Sequence, residues 1–189
     1  MRSLVFVSTV MSLLLAANAE NKIGCVLKAE KEKYAIGEFI KFNFSVKNNS
    51  ENEILLVQIL DGSSCGFRQP QATLSITGPD GKAVNVLIAR CDNTNILQTS
   101  DFIKINKGKE VEIGKNWLGL YTGSFKQTGK YKVKISYSTM DNDFKKWTGG
   151  PMAPEGINKV KKECGDLFSK RERVNISAET EIEILPKKE

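Results

Sequence analysis

The chain of 189 residues contains no histidine, and that single absence removes the commonest parts of enzyme chemistry. Serine or cysteine nucleophiles served by a histidine base, histidine-ligated zinc and histidine proton shuttles are all excluded. Cysteine is sparse: Cys25, Cys65, Cys91 and Cys164 stand far apart with no CxxC pair, a spacing that fits neither a zinc knuckle nor a dithiol redox centre. No glycine-rich phosphate loop follows a strand and opens a helix, so no cofactor is expected. Basic residues are scattered rather than interleaved with aromatics, which is the wrong pattern for a nucleic-acid partner. The run of about 20 apolar residues needed to cross a bilayer is also missing, so no stable membrane insertion is expected.

The longest apolar stretch, 4–15, is broken by Ser8, Thr9 and Ser12, preceded by Arg2 and followed by Ala17-Asn18-Ala19. A positive start, a short apolar core and a small-x-small site are the parts of a secretory signal peptide, assigned to 1–19. The mature chain then begins near Glu20 and is secreted or periplasmic, where an even number of cysteines reads as disulfides. A lipoprotein anchor would need a cysteine directly after the small residues, whereas Lys22-Ile23-Gly24 precede Cys25. About 170 residues remain, which suits one domain, 20–189, with a sizeable core. Lys and Arg number 28 against 22 Asp and Glu, a formal charge of +6 that falls to about +5 once Arg2 is removed.

The period of the mature chain is two. Phe39, Lys41, Asn43, Ser45 and Lys47 alternate with Ile40, Phe42, Phe44 and Val46, giving one wet face and one dry face. Tyr131, Val133, Ile135 and Tyr137 alternate with lysines in the same way, and Ile182 and Ile184 with Glu181 and Glu183. Turn signals at Ile36-Gly37, Asn48-Asn49-Ser50, Gly78-Pro79-Asp80-Gly81 and Thr128-Gly129 punctuate these runs. Strands are predicted at about 25–34, 38–47, 53–60, 71–77, 82–89, 102–105, 109–114, 130–138 and 174–185, with Thr73 to Thr77 and Lys82 to Ala89 forming a hairpin. The fold class is all-β: an antiparallel immunoglobulin-like sandwich with a long insertion, 139–173, before the last strand. A charged residue in place of Phe42 or Val133 should unfold it, because an unpaired buried charge costs several kcal/mol.

Lys33-Tyr34-Ala35-Ile36-Gly37-Glu38, followed by Lys41-Phe42-Asn43-Phe44-Ser45-Val46-Lys47-Asn48, resembles the opening of secreted immunoglobulin-like modules. Leu120-Tyr121 and the spacing of Phe125, Thr128-Gly129, Tyr131 and Val133 are similar to their final strands. Within that class the chain resembles BsuPI-type proteinase inhibitors and the non-catalytic sandwich region of deuterolysin-type peptidases, over residues 26–138. The resemblance implies the fold and hardly touches the function.

Strand direction predicts the disulfides. If successive strands reverse, the connections 61–70 and 90–101 emerge at one end, pairing Cys65 with Cys91. The start of the first strand and the connection 139–173 emerge at the other end, pairing Cys25 with Cys164. Each bridge should contribute a few kcal/mol, the longer loop more.

The insertion 139–173 exceeds ordinary loop length, and such loops are functional or disordered more often than not. Residues 154–164 suggest one or two helical turns. Read as a recognition loop, it offers Phe144, Trp147 and Met152 as apolar anchors, with Lys145 and Lys146 steering an acidic partner. The competing reading folds Phe144 and Trp147 back over the end of the sandwich, since exposed tryptophan is costly without a partner. Carboxylate pairs drawn from Asp61, Asp92, Asp101, Asp141 and Asp143 are conceivable acid–base groups, but they sit in turn contexts where aspartate bonds nearby backbone. No catalytic residue is therefore assigned. The expected role is a non-catalytic exported sandwich that binds a protein or cell-envelope partner; the alternative is an inhibitor or chaperone-like partner of an exported peptidase.

Overall fold

The computed structural model describes residues 22–61, 68, 71–84, 95–149 and 154–187, with backbone alone at 115–121 and 124. The signal segment, Cys65, Cys91, Asp92 and Met152 lie outside the described residues.

Strand β3 (Phe39–Asn48) shows how the period-two pattern becomes a layer. Ile40, Phe42, Phe44 and Val46 are each no more than 2 % exposed, while Phe39, Lys41 and Lys47 face out. It pairs antiparallel with β1 (Ile23–Ala29) on one side and β7 (Glu110–Tyr121) on the other, making the sheet β1-β3-β7. Register shifts between β3 and β7 at Ile40/Lys41, Phe42/Phe44 and Phe44/Ser45 mark bulges, which increase local twist.

The facing sheet has the order β2-β9-β8-β5, from β2 (Lys33–Ala35), β9 (Asn175–Leu185), β8 (Gly129–Ser138) and β5 (Ala72–Thr77). Tyr131, Val133, Ile135 and Tyr137 of β8 and Ile182 and Ile184 of β9 point inward and join the β3 residues in one core. The molecule is thus an antiparallel immunoglobulin-like sandwich. The predicted first strand, 25–34, is in fact two. It breaks after Ala29, where Lys31 N donates to Tyr34 Oη at 2.9 Å, and β2 crosses to the second sheet to pair parallel with β9. A short ladder of β4 (Ile54–Val57) and β6 (Phe102–Ile105) completes the strands.

Turns follow the sequence signals. Gly78 N donates to Lys82 O at 2.8 Å and Val84 N to Ile76 O at 2.9 Å, so the hairpin after β5 forms as expected over its described part. Asn48 is fully buried: its Nδ2 donates to Asn52 O and Ile105 O, and its Oδ1 accepts from Ser50 N and Oγ. That network fixes the turn out of β3.

The insertion leaves β8 at Ser138 and returns at Asn175, two residues paired across the ladder. It holds a 3-10 turn, Phe144–Trp147, and helix α1, Pro154–Lys170. At 17 residues α1 is about five turns, not the one or two expected. Proline supplies the preset φ of a helix start, with Glu155 in the first turn and Lys170 in the last. Val160, Cys164 and Phe168, four apart, form its buried stripe.

Candidate functional site

The insertion packs on one end of the sandwich through a second apolar cluster of Val57, Leu97, Trp147, Val160, Cys164 and Phe168. Trp147 has no exposed surface. Its Nε1 donates to Asp141 O at 3.1 Å, and its ring meets Phe168 edge-on at 5.6 Å. Phe144 meets the same Phe168 in a T-shape at 5.0 Å and remains half-buried. Trp147 is therefore a core residue and not an exposed anchor, which corrects that part of the recognition-loop expectation. The two aromatics close the end of the sandwich.

Arg171, absent from the sequence reading, holds this arrangement. Only 6 % exposed, it donates from Nη1 to Phe168 O at 2.6 Å, and from Nη2 to Thr139 O at 3.1 Å, Asp141 O at 2.6 Å and Asn142 Oδ1 at 3.2 Å. Its guanidinium lies 3.6 Å from the Phe168 ring centroid and 5.4 Å from that of Trp147, a stacking that suits a planar, weakly hydrated cation. Burial pulls its pKa downward, with the Arg173 charge adding to the effect. Thr139 completes the junction: its Oγ1 donates to Glu172 O and accepts from Val174 N.

Lys145 and Lys146 are exposed on the outer side of the 3-10 turn. Lys146 Nζ binds Asp141 Oδ2 at 2.8 Å, and this hydrogen bond holds the Asp141 carboxyl below its ordinary range. The candidate carboxylates among the described residues serve the backbone, as turn aspartates do. Asp61 accepts from Asn95 N, Asp101 from Gln98 N, Asp141 from Asp143 N and Asp143 from Lys145 N. Asp101 also pairs with Arg68 at 2.5 Å. Arg68 is 1 % exposed and its pKa is lowered by desolvation against the pull of Asp101 and Asp61. Its Nε and Nη1, and both amide atoms of Gln71, have no partner among the described residues. No group of three or more His, Cys, Asp or Glu able to hold a metal occurs among the described residues.

Cys25 and Cys164 do not bridge, which corrects the expected pairing; both are free thiols. Cys25 Sγ donates to the Ser177 carbonyl of β9 at 3.2 Å, whereas Cys164 Sγ faces Leu97 O at 3.7 Å inside the second cluster. Strand direction assigns an end of the sandwich but not a side, and α1 carries Cys164 inward to the cluster beside β4 while Cys25 stays against β9. Burial raises both thiol pKa values. The Cys65–Cys91 expectation lies outside the described residues.

Between the 96–99 segment and α1 runs an open groove of ≈ 480 Å³ lined by Ile96, Leu97, Gln98, Thr99, Gly156, Lys159, Val160 and Glu163. Ile96 is 45 % exposed there. The apolar pair Ile96-Leu97 inside a polar connection was the available signal; its partner wall was invisible without α1. A second groove, ≈ 310 Å³, lies at the other hairpin between Pro79, Val84, Lys126 and Tyr131.

No family model and no curated protein matches the sequence. Among solved structures, the CARDB domain of a Pyrococcus furiosus protein, in complex with di-metal ions, is similar at a TM-score of 0.33 and 8 % identity, over 86 % of this chain and 87 % of that one. A β-glucosidase from Erythrobacter marinus aligns at a TM-score of 0.31 and 12 % identity over 86 % of this chain but 15 % of the enzyme.

Proposed function

We propose that the protein is an exported, non-catalytic β-sandwich that binds a protein or cell-envelope partner through the end carrying the insertion. The observation that supports this most is the groove between Ile96–Thr99 and α1, where the large apolar side chain of Ile96 stays exposed. Exposed apolar surface rimmed by polar groups is the usual footprint of an interaction site. A chain without histidine, whose described candidate carboxylates Asp61, Asp101, Asp141 and Asp143 each accept a backbone N–H, supports the non-catalytic part. Export rests on the 1–19 segment and is checked by N-terminal sequencing of secreted material, which should begin near Glu20.

Immobilised full-length protein should capture one dominant partner from the envelope and secreted fractions of its own cell. The double variant Ile96→Asp, Lys145→Glu should lose it while melting normally. Equal capture by the variant would remove this surface from consideration. A peptidase as the dominant catch would favour the inhibitor reading suggested by the BsuPI-type resemblance, with the exposed 3-10 turn as the wedge.

A further inference from the structure

We propose that the parallel pairing of β2 with β9 is a mechanical clasp, which carries tension between the two ends of the domain past the sandwich core. Strand direction supplies the geometry. β1 and β9 both run away from the end that holds the insertion: Ile23 opens β1 opposite Asn48, Cys25 Sγ reaches Ser177 O near the start of β9, and Asn175 pairs with Ser138 there. The chain therefore enters the domain at Lys22 on the insertion end, and β9 finishes at Leu185 on the other, beside Ala35 and Gly129. A pull on the two ends acts along the strands and in opposite senses on β2 and β9. Hydrogen bonds cross between strands, so strands made to slide load all their bonds together, whereas strands peeled from a shared end lose them pair by pair.

Only three pairs join β2 to β9: Lys33 with Glu183, Tyr34 with Ile184 and Ala35 with Leu185. The ties around them are dense. Glu183 N donates to Glu32 O at 2.8 Å and Ile36 N to Leu185 O at 3.1 Å, so β9 is bonded on both flanks of the short strand. Lys33 Nζ meets Glu183 Oε2 at 2.8 Å across the pair. Tyr34 and Ile184, 1 % and 0 % exposed, seat the clasp in the core. The turn after β2 is pinned to the body by the buried Thr122, whose Oγ1 accepts from Gly37 N at 2.7 Å and whose N–H donates to Glu38 O at 2.9 Å. While the clasp holds, tension runs from β1 through residues 30–32 and β2 straight into the last residues of β9. The chain from β3 to β8 is bypassed.

Force spectroscopy on the full chain tests the clasp through two directions of pull. One pair of handles is fused to the two ends of the chain. The other joins Lys187 to an azide-bearing residue in place of Lys126, just before β8, so that β9 is peeled from β8 at their neighbouring ends. The end-to-end rupture force should exceed the peeling force by about twofold or more, since forced unfolding reads the unfolding barrier. Ile36→Pro deletes the donor to Leu185 O and should lower that ratio. Gly114→Ala, which crowds Ile59 and Phe44 outside the clasp, should weaken the domain in both directions and leave the ratio in place. Equal forces in the two directions for the unaltered protein, or an unchanged ratio in Ile36→Pro, would overturn the proposal. Should Ile36→Pro not fold, the two directions of pull on the unaltered protein decide.

Discussion

Gly114 of β7 is buried against β3 and the chain leaving β4. A methyl group on its Cα would lie 2.9 Å from Ile59 Cγ2 and 3.4 Å from Phe44 Cβ, closer than side chains tolerate in a packed interior. Gly114→Ala should therefore cost about 1–3 kcal/mol by overpacking, seen as a lower urea midpoint at unchanged slope. Tyr137 is a second sensitive position. It is 1 % exposed, and its hydroxyl donates to Val57 O at 2.5 Å. Burial pushes its pKa well above the ordinary tyrosine value, against smaller opposing effects of the Val57 bond, Arg171 and Arg68. The folded state keeps a proton that the unfolded chain releases above about pH 10, so this stabilisation is complete below that pH and is lost as pH rises toward the folded value. Urea midpoints should fall above about pH 10, and Tyr137→Phe should flatten that fall while lowering stability at neutral pH through the missing bond.

Among the elements, β8 and β9 carry an outward ladder of opposite charge. Lys130, Lys132 and Lys134 stand opposite Glu183, Glu181 and Glu179, and diagonal bridges join Lys130 to Glu181 at 2.8 Å and Lys132 to Glu179 at 3.6 Å. Lys33 of β2 extends the ladder to Glu183 at 2.8 Å. These groups are solvent-exposed and screened, so each pair contributes little to stability. Replacing Lys130 and Lys132 with glutamine should move the urea midpoint only slightly, and 1 M salt should abolish most of the difference. A loss comparable to that from Gly114→Ala would mean the ladder does more than keep the face wet. The strands were legible because each buried face is written in the simplest period. Ile40 to Val46 and Tyr131 to Tyr137 alternate without interruption, and the predicted 102–105 coincides with β6. Helix α1 was not legible beyond a turn or two: its stripe passes through Cys164, its flanks include Gly156 and Gly165, and charged residues separate the apolar ones. The split between β1 and β2 was hidden for a different reason. Lys31 and Glu32 read as a wet strand segment, and only tertiary pairing decides which sheet each half joins.

For the whole molecule, the candidate site was half visible. The length and aromatic content of 139–173 singled out the insertion, but which aromatics face water depends on Arg171 and Phe168, whose roles exist only in three dimensions. The thiols test the arrangement globally. Cys25 and Cys164 should both be titratable in denatured, unreduced protein, and any disulfide should join Cys65 to Cys91. The described flanks of those two cysteines already meet where Asn95 N donates to Asp61 Oδ2 at 3.2 Å. A peptide map linking Cys164 to any partner would contradict the second cluster as described.

The parallel pairing of β2 with β9 joins residues near the start of the described chain to residues near its end. β9 also lies between β2 and β8, so the four-stranded layer stays incomplete until β9 is in place. Contacts so distant along the sequence make folding slow.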